Sequence, residues 1–299
     1  MTLRFGTSEA GGTFHTQAVA IAELFNRKYA GDKSCIVTTN LVTLDDVKLL
    51  DRGELEFGLM ASNWVGRVKN GSAPFDRPIA LRMVAPANAG PVFFITLANS
   101  PIRTVTDLVG KRVALGPKGS GMAQHAEVIL KTLGIAVESF TPVHCGFDEA
   151  GEALIRRAID ALWQRPIPNQ AMTELSERAD VRIVALPAPQ LDKLVAQVPF
   201  YRKVIIEQGA FRGVSERSSQ VGVVNVIVTH EQVAEQSVCA LAKTIAENLD
   251  TLPALNPLFK TAKALFEPLR AQGAAAFEFA GVPLHRGALQ AYKELGWLK

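Results

Sequence analysis

The chain has 299 residues, of which 48% are hydrophobic and 20% are charged, and its formal net charge at pH 7 is +3. This balance is typical of a folded protein with two domains, and it excludes an intrinsically disordered chain. The 32 lysines and arginines are spread along the sequence without interleaved aromatic residues, which argues against a nucleic-acid-binding protein.

The longest apolar runs cover residues 91–98 and 221–228, and both are shorter than the ~20 residues that cross a bilayer. The first five residues lead directly into a predicted strand and a glycine-rich turn, so they do not form a secretory signal. We therefore expect either a cytoplasmic protein or a periplasmic or extracytoplasmic one whose export signal has been removed. The three cysteines include no C-x-x-C pair and predict no disulfide framework.

The first part of the chain alternates between strands and helices. Turn residues and apolar periodicity predict a strand (residues 3–6), a glycine-rich turn (7–12), a helix capped by Thr13, a strand (34–39), a short helix (43–50) and a strand (55–61). The core face of the first helix carries Ala18, Ile21 and Phe25, which are spaced at helical intervals.

The second part begins with the same pattern. The prediction is a buried strand (91–98), a helical turn (104–109), a strand (112–115), a second glycine-rich turn (116–122) and a helix, followed later by a buried strand (221–228) and helices (231–248, 257–269, 287–295). A further similarity links the halves, since Leu50-x-x-Gly53 precedes one strand and Leu154-x-x-Arg157 precedes another.

This arrangement predicts an α/β protein with two lobes. The first lobe would comprise residues 1–94 together with 222–299, and the second lobe residues 95–221. Each lobe is expected to contain a mostly parallel sheet flanked by helices, with a ligand cleft between the lobes. Both glycine-rich turns lead into helix N-termini, where free N–H groups and the hydroxyls of Thr13 and Ser120 would favour an anion. The alternative is that both segments are plain tight turns.

Catalytic motifs are weak in this sequence. The five histidines lack the spacing of a zinc site, and no Walker or dinucleotide fingerprint occurs, so no metal and no cofactor is predicted. His144 and Cys145 are neighbours, but adjacent residues in a strand point to opposite faces and would not meet. Ser120 does not stand in a G-x-S-x-G motif.

Six segments, in order, carry a family resemblance: residues 5–14 (FGTSEAGGTF), Leu50-x-x-Gly53 with 57–59 (FGL), 108–116 (LVGKRVALG) with 119–121 (GSG), 159–161 (IDA), 221–223 (VGV), and 283–285 (PLH) with 287–288 (GA). Together they resemble the TAXI-type solute-binding proteins of TRAP transporters. The resemblance covers essentially the whole chain. It implies a type II periplasmic-binding fold of the NMT1-like kind, no catalysis, and delivery of a small organic anion or amino acid to TRAP-type membrane permease subunits.

Transferred position by position, the resemblance also implies a set of ligand-binding residues: Ser8, Gly12, Thr13, His15, Asn63, Ser120, Gly121, Met122, Gln164, Arg165 and Asn225. Asn225 is expected on the hinge side of the cleft. This chain departs from the family at His15, Arg165, Arg157 and Val224, where members usually carry an aromatic residue, a small or apolar residue, a glycine and a proline. These departures leave the identity of the ligand open.

Two other functions fit the same sequence. One is a soluble intracellular binding or sensor domain on the same fold, which the lack of an export signal favours. The other is an enzyme that uses Ser120 or Cys145.

Overall fold

The computed structural model of the protein describes residues 2–7, 13–39, 43–116, 118, 121–164, 167, 170–198 and 200–299. The chain forms two compact units. One comprises Met1–Ala89 and Val224–Lys299, and the other comprises Gly90–Val223. We call them the first unit and the second unit.

The first segment of the first unit alternates between strands and helices: β1 (Thr2–Gly6), α1 (Thr13–Lys28), β2 (Ser34–Thr38), α2 (Thr43–Asp51), β3 (Phe57–Ala61) and α3 (Ser62–Asn70). The long strand β4 (Leu81–Leu97) then carries the chain into the second unit.

The second unit contains β5 (Arg112–Ala114), α4 (Gly121–Leu133), β6 (Thr141–Val143), α5 (Phe147–Ile155), β7 (Ala161–Gln164), α6 (Gln170–Arg178), β8 (Val181–Ile183), α7 (Ala188–Gln197) and β9 (Tyr201–Ile206). The chain returns to the first unit along β10 (Ser218–His230) and ends in α8 (Glu235–Glu247), α9 (Leu252–Leu255), α10 (Ala262–Gln272) and α11 (Arg286–Glu294).

The two units repeat one strand order. In the first unit β1 lies between β2 and β3 and pairs with both in parallel, and the final residues of β10 run antiparallel to β3. In the second unit β5 lies between β6 and β7 in the same way, and β4 runs antiparallel to β7. The antiparallel pair β4–β8 belongs to the same sheet as β5, β6 and β7, whereas β9 pairs antiparallel with the first residues of β10, Ser218–Val223. The predicted α/β architecture is therefore confirmed, with antiparallel pairs supplied by the long strands.

The same arginine–carboxylate contact occurs in both repeats. In the first unit the backbone nitrogen and Nε of Arg4 donate to Glu56 Oε2 at 2.6 and 3.1 Å, while Nη2 donates to Gly53 O at 2.7 Å. In the second unit Arg112 donates to Asp160 Oδ2 at 2.8 and 3.0 Å and to Arg157 O at 2.8 Å. Each contact ties a residue of one strand, Arg4 in the middle of β1 or Arg112 at the start of β5, to the residue just before the neighbouring strand.

The turn before each of these carboxylates contains a residue in the left-handed region. Gly53 has φ 70° and Arg157 has φ 57°. The surrounding backbone bonds also agree, since Gly53 N donates to Leu50 O and Arg157 N donates to Leu154 O. The similarity between the two sequence segments therefore reflects one structural turn, which Arg157 completes in a conformation that favours glycine.

Apolar side chains of the strands and helices form a core in each unit. In the first unit the rings of Phe5 and Phe57 pack at 5.9 Å, while Phe266, Phe277 and Tyr292 form edge-to-face contacts among the C-terminal helices. The core of the second unit includes Phe93, Ile95, Ala114, Ala150, Leu154, Leu162, Met172 and Val181.

Several elements differ from the sequence prediction. Residues 62–70 form α3, which was not predicted, and β4 begins at residue 81 instead of 91. The helix predicted over 231–248 begins at Glu235, and the helix predicted over 257–269 is a 3-10 turn followed by α10. His144 and Cys145 were treated as strand neighbours, but β6 ends at Val143, so both lie in the connection before α5.

Candidate functional site

The structure describes seven of the eleven sequence-predicted site residues at backbone level. Ser8, Gly12, Ser120 and Arg165 lie outside the described residues. Thr13 is the first residue of α1 and is exposed, and His15 follows in the same turn. Gly121 and Met122 begin α4. Asn63 belongs to the first turn of α3, so it does not end a strand as predicted.

Two of the predicted residues lie in strands. Gln164 is the last residue of β7 and is almost fully buried, with Nε2 3.6 Å from the sulfur of Met172. Asn225 lies in β10 opposite Ala61, the last residue of β3. The carboxyl ends of parallel strands are where ligands bind in open α/β sheets, so the position of Asn225 beside the end of β3 suits a ligand-facing role. That role stays a prediction for both residues.

Three amide side chains of the first unit form a hydrogen-bonded group, which we call the amide cluster: Gln17 of α1, Asn88 of β4 and Asn225 of β10. Gln17 Nε2 and Asn225 Nδ2 both donate to Asn88 Oδ1, each at 3.0 Å. Gln17 is fully buried, Asn88 is 4% exposed and Asn225 is half-buried. The cluster therefore runs from the interior of the unit to a partly accessible residue.

Two side-chain carbonyl oxygens of the first unit have no hydrogen-bond partner in the described part of the chain. Gln17 Oε1 and Asn63 Oδ1 are buried and accept no hydrogen bond from any described residue. Asn63 follows Ala61 by two residues, and Ala61 pairs with Asn225. A buried acceptor without a donor costs about 1–3 kcal/mol, so such atoms are uncommon unless they serve a ligand or a strained site.

Sequence reasoning identified Asn225 and Asn63 but missed Gln17 and Asn88. Gln17 carried a usable signal, because it lies one helical turn before Ile21 on the core face of α1, where an apolar residue is expected. Asn88 carried no such signal, since the segment around it contains Pro86 and Gly90 and does not alternate like a strand.

The second unit has a polar group at the corresponding helical position. Gln17 is the fifth residue of α1, and His125 is the fifth residue of α4. His125 is 8% exposed, and its Nδ1 lies 3.0 Å from the hydroxyl of Tyr201, while Phe200 packs against the imidazole edge-on. Burial raises the pKa of the Tyr201 hydroxyl above its usual range, so this group remains protonated.

A buried carboxyl group also lies in the first unit. Asp46 of α2 is 1% exposed, and its Oδ1 finds no hydrogen-bond partner in the described part of the chain. Burial, and secondarily the neighbouring charge of Asp45, raise the pKa of Asp46 to about 7. A side chain at Gly6 would collide with Asp46 Oδ1, so the glycine makes room for the carboxyl group.

The repeat shows that the fold does not need this acid. The spacing along the chain from Asp46 to Leu50 and Gly53 is the same as that from Ala150 to Leu154 and Arg157. Asp46 and Ala150 are therefore equivalent positions of the two repeats. Ala150 lies in the apolar core of the second unit, together with Ala114. The first unit thus keeps an ionisable group at a position where the second unit has a methyl group.

The catalytic alternatives gain little support from the described residues. Burial raises the pKa of the Cys145 thiol, which lowers its thiolate fraction and its nucleophilicity. His144 Nδ1 lies 3.2 Å from the carbonyl oxygen of Gly116. Within the described residues, no group of three histidine, cysteine, aspartate or glutamate side chains is arranged to hold a metal ion.

The sequence profile of the family described as the NMT1-like family matches residues 5–296 of this chain. Over the part of the chain that the structure covers, no helix combines the length and apolar character needed to span a membrane.

Solved structures of solute-binding proteins share the fold. A TctC solute-binding protein from Polaromonas is 14% identical, with a TM-score of 0.60, and the match covers 99% of this chain and 96% of that one. A putative periplasmic sulfonate-binding protein, SsuA, from Methylobacillus flagellatus KT is 13% identical, with a TM-score of 0.58 and coverage of 99% and 95%. The probable amino-acid ABC transporter extracellular-binding protein YtmK from Bacillus subtilis is 15% identical, with a TM-score of 0.52 and coverage of 92% and 99%. The α/β fold is therefore that of periplasmic binding proteins.

Proposed function

Because the chain belongs to the NMT1-like family, we propose that it captures a small organic solute outside the cytoplasm and delivers it, chemically unchanged, to a membrane transporter. The observation that carries this proposal is the amide cluster beside the end of β3, in a fold used by solute-binding proteins, with the buried Oε1 of Gln17 left without a partner among the described residues. Binding sites of this kind combine a few well-placed polar groups with a largely apolar surrounding.

The transporter is proposed to be of the TRAP type, with this chain as its TAXI-type subunit. Six sequence segments in the order of that family support this assignment, and they span residues 5–288. The periplasm follows as the proposed location, because such subunits meet their permease at the outer face of the membrane.

The solute is proposed to carry a carboxylate. The first turns of α1 and α4 follow glycine-rich segments, and helix N-termini of this length favour negative charge through their free N–H groups and dipole. Thr13 and Ser120 would add hydroxyl donors, and Arg165 would pair with the carboxylate through its planar guanidinium. Alanine at Arg165 should then weaken binding more than lysine does.

The decisive experiment identifies what the protein holds. Gently purified protein is analysed by native mass spectrometry and then denatured, and the released molecule is identified. A screen of organic acids, amino acids and sugars by thermal unfolding accompanies it. A solute at a hundred times its dissociation constant adds ~2.7 kcal/mol of stability and raises the melting temperature by several degrees.

The expected result is a carboxylate released intact, and a melting shift with acids of the same class. Stabilisation by neutral sugars alone would contradict the carboxylate assignment. Conversion of the added solute to a product over prolonged incubation would contradict a purely binding role.

A further inference from the structure

A groove of about 490 Å³ lies among the C-terminal helices of the first unit. One wall is formed by the end of α10 with the 3-10 turn that follows it, and the other by α11 with the residues after it. The groove shares no residue with the amide cluster or with the predicted solute-binding residues. Its volume lies within the range of small-molecule sites, about 300–1,000 Å³. The larger side chains that line it are those of Leu269, Arg270, Leu289, Lys293, Trp297 and Leu298.

Contacts within the protein fix Trp297 in the wall of this groove. Its backbone nitrogen donates to the carbonyl oxygen of Tyr292 at 2.8 Å, and Gly296, with φ 69°, lets the chain turn back after α11. The indole packs edge-on against Phe266, with ring centroids 5.6 Å apart and an angle of 90° between the planes. An aromatic surface is therefore held in position without a ligand.

Arg270 lies over this aromatic surface. Its guanidinium carbon is 4.8 Å from the centroid of the Trp297 ring, which is the distance of a cation–π contact. Among the described residues, no carboxylate or carbonyl oxygen accepts a hydrogen bond from Arg270. A guanidinium has five N–H donors, so this side chain is positioned by the indole while its donors remain available to an acceptor.

The positive charge at the groove is not neutralised by the protein. Elsewhere on the C-terminal helices the basic side chains form ion pairs, namely Lys243 with Glu294, Lys263 with Asp250 and Arg286 with Glu235. Arg270 and Lys293 have no such partner in the described part of the chain, and none of the described residues that line the groove is acidic.

Both of these cations stand in the last turn of a helix, Arg270 in α10 and Lys293 in α11. The helix dipole favours a cation at that end, which accounts for each residue separately. It does not account for their convergence on one groove beside a fixed indole. Two unpaired cations at the border of an apolar surface are complementary to a molecule that has an acid group and an apolar body.

We propose that this groove is a second ligand site of the protein and takes a small amphipathic anion, an organic acid with an aromatic or branched aliphatic body. The body packs against Trp297 and Leu289, and the acid group accepts hydrogen bonds from Arg270 and Lys293. This inference goes beyond the capture of a transported solute, because it concerns a separate place on the first unit and a separate molecule.

The experiment compares two fluorescent probes that share one aromatic body. Anilinonaphthalene sulfonate carries an acid group, and N-phenylnaphthylamine is its neutral counterpart; both become brighter when they leave water. Fluorescence titration is carried out on the wild type, Arg270→Gln, Lys293→Gln and Trp297→Leu. The matched controls are Arg286→Gln and Lys260→Gln, which remove the same charges from the first unit at positions outside the groove. Circular dichroism verifies that each variant is folded.

The wild type should bind the sulfonate at least about tenfold more tightly than the neutral probe, because charge-assisted hydrogen bonds are the stronger ones. Arg270→Gln and Lys293→Gln should each weaken the sulfonate by about tenfold and leave the neutral probe within about twofold. Trp297→Leu should weaken both probes, and the two controls should change neither. Added sodium chloride should weaken the sulfonate alone. If Trp297→Leu fails to fold, the two glutamine variants decide.

Three results would overturn the inference. Equal wild-type affinity for the two probes would show an apolar groove that does not select an anion. Unchanged sulfonate affinity in Arg270→Gln and Lys293→Gln would place the probe elsewhere and leave these cations a role at the helix ends only. No binding of the sulfonate by the wild type would remove the site. Each of these results leaves the proposed capture of a solute standing, because the groove and the amide cluster have no residue in common.

Discussion

Asp46 links the stability of the first unit to pH, because its carboxyl group is buried against Gly6 and its Oδ1 has no partner among the described residues. Its pKa is about 7 in the folded protein and about 3.9 in an unfolded chain. The folded state therefore binds the proton more tightly than the unfolded state. Stability is greatest at acidic pH and decreases as pH rises from about 4 to about 7, by at most ~1.4 kcal/mol per pH unit.

The variant Asp46→Asn tests this relation. The substitution keeps the shape of the side chain and removes the charge, so the variant should be more stable than the wild type at pH 8. The difference in unfolding free energy between variant and wild type should be roughly 2–3 kcal/mol larger at pH 8 than at pH 5. Urea denaturation at pH 5, 6, 7 and 8 measures the difference. Asp76→Asn, at an exposed position of the first unit, serves as the control for loss of a carboxylate. Parallel stability curves for wild type and Asp46→Asn would show that the carboxyl group is not titrating in this range.

Arg157 allows a second test on a single residue. Its φ of 57° is one that a residue with a Cβ adopts at a cost, whereas Gly53 fills the same turn of the first unit without that cost. Arg157→Gly should therefore raise the free energy of unfolding by about 0.5–1 kcal/mol. The control is Arg156→Gly, since Arg156 has φ −77° and glycine there should lower stability by about 0.5 kcal/mol. Chemical denaturation measures both variants. If the two substitutions changed the free energy of unfolding in the same direction, the backbone explanation would be contradicted.

At the scale of elements, the arginine–carboxylate contacts join each central strand, β1 or β5, to the residue just before its neighbour, β3 or β7. Lysine at Arg4 or Arg112 would keep the charge but lose the planar fork that reaches both a carboxylate and a backbone carbonyl. Each substitution should lower the free energy of unfolding by about 1 kcal/mol. Arg52→Lys is the control, because Arg52 pairs with Glu54 in an exposed position and should change stability by less than about 0.5 kcal/mol. Equal effects at all three sites would indicate that the fork has no special role.

The sequence predicted elements wherever apolar periodicity was long and regular. Strand β1 and helix α1 follow from such patterns, and so does the buried part of β10. The first half of β4 was not predicted, because Pro86 and Gly90 resemble turn residues and the strand is recognisable only through its neighbours. Strands β6 and β8 were not predicted, because three residues are too few for a recognisable alternation; β5 is equally short, but the glycine-rich turn after it marks its end.

The candidate site was predictable only in part, for a physical reason. Asn225 and Asn63 belong to segments that resemble family motifs or follow a predicted strand, so their positions could be inferred. Gln17 and Asn88 are functional candidates only because Asn88 joins Gln17 to Asn225, and the Gln17–Asn88 contact across 71 residues of chain leaves no local mark in the sequence. For Gln17 two indicators were available: its position on the core face of α1, and the internal repeat, which aligns it with the buried His125.

At the scale of the whole molecule, the arrangement of segments along the chain predicts that the second unit folds before the first. The second unit is one continuous segment, Gly90–Val223, whereas the first unit must pair residue 225 with residue 61 before its sheet is complete. Contacts that close longer loops form more slowly, because their entropy cost precedes their stabilisation. We expect the amides of β5 and β7 to become protected before those of β3 and the first-unit part of β10. Pulse-labelling hydrogen exchange during refolding measures this order, and simultaneous protection would contradict it.

The close approach of the chain at the two limits of the second unit has a further consequence. A Cβ added to Gly222 would lie 3.2 Å from the carbonyl oxygen of Gly90, so the segment starts and finishes at nearly the same point. A segment with adjoining ends can be exchanged as a cassette, because its replacement needs no long linker. Grafting the corresponding segment of a relative between Ala89 and Val224 would create hybrid receptors, in which the contribution of each half to solute choice can be assigned separately.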